Sequence, residues 1–113
     1  MKNLMMIVLS VFLLNSVVVT NAHADAAKGL KYYKKYLKPL FGIKGNKFTT
    51  SRTKGEWKSY FKKNAKKFIK KYSKKYPKSA DFLKSDKFQK IAPHVKDFAI
   101  KFAADSGALP KCN

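Results

Sequence analysis

The chain has 113 residues, with 26 Lys and Arg against six Asp and Glu, a formal charge of +20 and a sequence pI of about 10.1. The length suits one small domain, and a single cysteine, Cys112, excludes an internal disulfide. Beyond residue 24 there is one histidine, His94, and the acids Asp25, Glu56, Asp81, Asp86, Asp97 and Asp105 are scattered, so the sequence spells out neither a metal cluster nor a catalytic acid–base couple.

Lys2 supplies a basic n-region, residues 4–19 are mostly apolar, and Ala22-His23-Ala24 has the small-x-small pattern of a leader cleavage site. The expectation is a secretory signal peptide over residues 1–24, cut after Ala24, and a basic helical domain over residues 25–113 in the periplasm or secreted space. Asn15 and Ser16 interrupt the apolar run, leaving it short of the roughly 20 residues of a membrane span. Removing residues 1–24 takes away one lysine and no acid, so the charge falls only from +20 to +19. In an oxidising compartment the odd thiol of Cys112 points to an intermolecular disulfide, a redox partner or a spare terminal residue.

Asp25 is placed to cap a first helix from about Ala26 to Leu37, with Pro39 as its stop. From Lys38 to Arg52 the residues Pro39, Gly42, Gly45, Asn46 and Thr49-Thr50-Ser51 predict a loop, with Leu40, Phe41, Ile43 and Phe48 tucked beneath it. Thr53-Lys54-Gly55-Glu56 has capping-box spacing, and Trp57, Phe61, Ala65, Phe68, Tyr72 and Tyr76 then recur every three or four residues until Pro77. That aromatic stripe reads as core. Ser79 and Ser85 suggest caps for two short helical pieces, and Pro93 suits the first turn of a last helix through Ser106, stopped by Gly107. No segment alternates with period two for long enough to make a strand. The fold expected is all-α, a small single domain of three main helices plus one or two short ones.

The long helix carries the charge. Four consecutive tetrads place Lys62, Lys63, Lys66, Lys67, Lys70, Lys71, Lys74 and Lys75 in residues 62–77 with no acid among them. A four-residue step advances about 400°, so these lysines share one broad face of a continuous helix. It also stacks like charges at spacing four. Six such pairs, at about 0.2–0.5 kcal/mol each, cost roughly 1–3 kcal/mol at low salt. These eight lysines are the candidate anion-binding residues. The alternative is a solvated face that keeps the domain soluble, though the density exceeds what solubility needs.

Gly29-Leu30-Lys31-Tyr32-Tyr33-Lys34-Lys35-Tyr36, followed by Leu37-Lys38-Pro39-Leu40-Phe41-Gly42, resembles the opening of a small class I cytochrome c. In that family a glycine and an aromatic on the first helix precede the haem-attachment motif Cys-x-x-Cys-His. Here Leu37 and Leu40 fall at the cysteine positions and Phe41 at the histidine, so covalent haem is excluded, and the only methionines are Met1, Met5 and Met6. The stretch from Val95 to Gly107 is similar to the family's closing helix, which crosses the first. The resemblance implies fold and compartment without the haem, and leaves noncovalent haem on His94 as the cofactor alternative.

Of the 25 cations after residue 24, only Arg52 has the planar fork suited to reading base edges, which disfavours sequence-specific nucleic-acid binding. Lysine density supplies salt-sensitive attraction instead. The expected function is that of a noncatalytic binding protein engaging an anionic polymer, an anionic membrane surface or an acidic periplasmic protein. The alternatives are electron transfer, through noncovalent haem or a redox-active Cys112, and membrane activity by the cationic helix.

Overall fold

The computed structural model describes residues 24–107, so the leader read over residues 1–24 falls almost wholly outside the described residues, as does Cys112. Three long helical runs of 16, 22 and 16 residues and several short ones build an all-α domain, with no strand among the described residues.

Asp25 opens the first run as expected, its Oδ1 accepting the Ala27 amide at 2.8 Å. Helix α1, Ala26–Tyr32, widens into a π-helical turn, Tyr33–Leu37, and continues as α2, Lys38–Phe41. Pro39 therefore does not end the run. The wide turn, in which the Lys38 amide bonds back to the Tyr33 carbonyl, accommodates a residue that brings no amide of its own. The stop is Gly42, whose φ of 74° is left-handed and whose amide closes on the Lys38 carbonyl at 2.8 Å.

The predicted loop contains a short helix, α3, Gly45–Thr49, held down by the fully buried Phe48. Helix α4, Lys54–Lys75, starts with the expected capping box. Thr53 Oγ1 accepts the Glu56 amide at 3.2 Å, and Glu56 Oε1 accepts the Thr53 amide at 2.9 Å. That second bond holds the Glu56 carboxyl below its usual range. A further cap comes from far along the chain: Asp105 Oδ1 accepts the Lys54 amide at 2.9 Å.

After a 3-10 turn, Pro77–Ser79, and α5, Ala80–Leu83, the last helix is α6, Asp86–Lys101. It begins at Ser85, whose Oγ accepts the Phe88 amide at 3.3 Å, and runs through Pro93 instead of starting there. Nor does it reach Ser106. The chain leaves the helix at Phe102, and the Ala104 amide turns to the Arg52 carbonyl at 3.0 Å. Ser79 differs too: its Oγ donates to the Tyr76 carbonyl at 2.6 Å instead of capping α5.

Helix α1 packs most extensively on α6, and α6 in turn on α4. The α1–α6 crossing is set by Gly29. A Cβ there would fall on the His94 carbonyl and 2.6 Å from Phe98 Cβ, so only glycine admits so close an approach. Aromatic rings fill the centre: Phe48 stacks on Tyr33 at 4.6 Å and meets Trp57 at 4.8 Å, and Phe68 stacks on Tyr72 at 4.3 Å. Polar tips are satisfied, Trp57 Nε1 donating to the Thr49 carbonyl at 2.9 Å and Tyr33 Oη to that of Ile43 at 2.7 Å. Burial pushes the Tyr33 phenol far above its ordinary pKa.

Candidate anion-binding groove

One face of α4 is bound to the domain and the other is free. Trp57, Phe61, Ala65, Phe68 and Tyr72 are buried, with Tyr76 half-buried, whereas Lys62, Lys63, Lys66, Lys67, Lys70, Lys71, Lys74 and Lys75 are all exposed. The expected division of the helix into an aromatic and a lysine face holds.

The lysine face is not a straight ladder. Lys63, Asn64 and Ala65 have left-handed backbones, with φ of 53°, 59° and 62°, and Lys62 is extended. Two helical halves meet across this turn. The spacing-four stacking survives along Lys66, Lys70, Lys74 and along Lys67, Lys71, Lys75, but is lost between Lys62 and Lys66 and between Lys63 and Lys67. Relief of two like-charge pairs is worth only about 0.4–1 kcal/mol. Each left-handed residue costs about 1–2 kcal/mol, so charge relief does not account for the break. Packing does more. Ala65 is buried, Phe61 stacks on Phe68 across the turn at 4.8 Å, and Gln89 Nε2 donates to the Asn64 carbonyl at 3.1 Å. The turn faces the Pro93 region of α6, with which it lines a recess of about 200 Å³.

A straight helix presents a convex surface; a broken one can be concave. Here Ser59 and seven of the eight lysines, all but Lys75, line a groove of about 550 Å³ that spans the break. On its flank lies a channel of about 660 Å³ against α5, where Lys63, Lys66, Lys70 and Lys74 recur and Lys84 joins them over Ile69 and Ala80. Lys75 stands apart, its Nζ 5.6 Å from the Tyr76 ring. No acid lines either concavity, and among the described residues none of these ammoniums has a carboxylate in a salt bridge. Three of the six acids, Asp25, Glu56 and Asp105, instead cap helix starts.

Sequence reasoning missed Ser59 and Lys84, which only the break in α4 and the packing of α5 bring to the lysines. It also missed a cation pair on Tyr60, with Arg52 Cζ 4.3 Å and Lys67 Nζ 5.1 Å from the ring centre. Arg52 also offsets part of the upward shift that burial gives the Tyr72 phenol.

At the positions of the cytochrome-like motif, Leu37 is fully buried, and Phe41 stacks on Tyr76 at 4.8 Å and meets Tyr72 at 5.1 Å. His94 lies 5.7 Å from the Tyr32 ring, and its Nδ1 accepts the Asp25 amide at 3.0 Å. Among the described residues, no three His, Cys, Asp or Glu side chains come together as a metal site, and no helix is long and apolar enough to cross a membrane. Comparison with protein families, with curated proteins and with solved structures returns no match for this chain.

Proposed function

We propose that this is an exported, noncatalytic binding protein that engages an anionic partner through the lysine groove of α4. The observation that carries the reading is the lining itself, seven exposed lysines and a serine with no acid among them. Ammonium groups crowded this way repel one another, and a bound polyanion relieves the repulsion while releasing its own counterions, which makes binding strong at low salt and weak at high salt. Burial of Trp57, Phe68 and Tyr72 favours a surface interaction over insertion, because a helix that enters a bilayer must free its apolar face. The close crossing of α1 and α6 at Gly29 favours descent from a cytochrome-c-like fold that has given up its haem.

Phosphocellulose chromatography provides the test. Replacing Lys66, Lys70, Lys71 and Lys74 together by Gln should bring elution to distinctly lower salt than the same replacement at Lys31, Lys47, Lys78 and Lys90, exposed lysines outside the groove, with the helical circular-dichroism signal retained in both. Elution of the two variants at the same salt would assign the interaction to the protein's general charge and refute the groove.

A further inference from the structure

His94, the only histidine after residue 24, turns its Nδ1 lone pair to the backbone nitrogen of Asp25, 69 residues away, at 3.0 Å. Two helices hold this contact. Gly29 lets α1 settle on the His94 carbonyl, and the Tyr32 ring stands 5.7 Å from the imidazole. Asp25 is exposed and His94 half-buried, so their meeting point is open to solvent.

In the uncut chain the Asp25 nitrogen is an amide, which donates a hydrogen bond and offers a metal no lone pair. Cleavage after Ala24 turns the same atom into a primary amine, whose proton a metal can displace. The cut thus leaves two nitrogen ligands 3.0 Å apart. Neighbouring ligands that lie about 2.0–2.1 Å from one metal, at a right angle, are separated by roughly that distance. A tilt of the imidazole brings both lone pairs onto one point. Asp25 supplies a third donor. Its carbonyl is taken by the Gly29 amide at 2.9 Å and its Oδ1 by the Ala27 amide at 2.8 Å, but Oδ2 has no bond among the described residues. The amine nitrogen, Cα, Cβ, Cγ and Oδ2 close a six-membered ring with a metal.

We infer that the exported chain carries a copper(II) site built on its own new N-terminus, from the Asp25 amine, Asp25 Oδ2 and His94 Nδ1. Two side chains alone make no metal cluster; the amine completes it. The inference rests on the export half of the proposed function, with the cut after Ala24, and not on the groove. Two nitrogens and a carboxylate oxygen suit copper(II) or nickel(II), and copper stands above nickel in divalent affinity. A domain of charge +19 repels free cations, so magnesium and calcium, which rely on oxygen ligands and their charge, should not bind.

The test takes the protein exported from its full chain, identifies its first residue by mass spectrometry, and titrates it with copper(II) at neutral pH against glycine as a competing chelator. The expected result is Asp25 in first place and one copper per chain, with nitrogen hyperfine splitting in the electron paramagnetic resonance spectrum. His94→Gln removes the imidazole. A Gly-Ser insertion between Ala24 and Asp25 returns the Asp25 nitrogen to an amide and leaves every other residue in place. Each change should weaken copper binding at least about tenfold, because even a group behind a metal ligand commonly costs that much. A first residue other than Asp25, or an uncut chain, would overturn the site together with the cut it depends on, and would leave the groove untouched. Asp25 in first place without copper uptake, or with both variants binding as tightly as the parent, would overturn the site alone and leave export standing. A loss in one variant without the other would equally overturn it, since the site needs both nitrogens.

Discussion

Gly29 bears more on the arrangement of the helices than any lysine. It stands inside α1, where glycine gives up about 1 kcal/mol of helix propensity relative to alanine, and the return is contact with α6 at His94 and Phe98. Gly29→Ala should lower stability by about 1–3 kcal/mol despite the better propensity, because the added methyl has a backbone carbonyl in its way. Denaturant melts check this: equal or greater stability of the alanine variant would mean that α1 and α6 do not approach so closely. Asp105 and Tyr33 likewise act through partners distant in sequence, the Lys54 amide and the Ile43 carbonyl, 51 and ten residues away. Such roles leave no local signature. Asp25, Thr53 and Glu56 were legible because each caps within three residues of itself.

Among the elements, the left-handed turn in α4 is the sharpest departure from what periodicity predicts. The aromatic stripe identified a helix and its buried face correctly, since Trp57, Phe61, Ala65, Phe68 and Tyr72 are all in the core. Nothing in residues 62–65 marks a break except Asn64, a residue that tolerates the left-handed region. Asn64→Ala discriminates by sign. In an unbroken helix it should stabilise by about half a kcal/mol, whereas in the turn described it should destabilise by about 1 kcal/mol, since alanine lacks asparagine's local hydrogen bonding. A rise in the melting midpoint would contradict the break, and with it the origin of the groove's concavity. Pro39 and Pro93 mislead for a related reason. Proline removes one amide bond, and its usual effect is to end a helix, but a π turn before Pro39 and the packing of α6 against α4 and α1 keep both runs continuous. Local chemistry therefore located the capping box and the Gly42 region, while tertiary packing settled where two of the three long runs begin or end.

At the scale of the whole molecule, the acids are few and those at helix starts are committed, while among the described residues no acid lines the groove on α4. The sequence made the charge and its face readable. It did not reveal the groove, because concavity depends on a backbone turn and on α5 lying alongside. The most direct measurement is the salt dependence of affinity for a single-stranded polyanion such as oligothymidylate, plotted as log affinity against log salt. Each engaged lysine contributes a slope of about −0.7, so the groove predicts a slope steeper than about −3, approaching −5 if all seven of its lysines take part. A slope near zero, or no detectable binding in dilute buffer, would contradict the account.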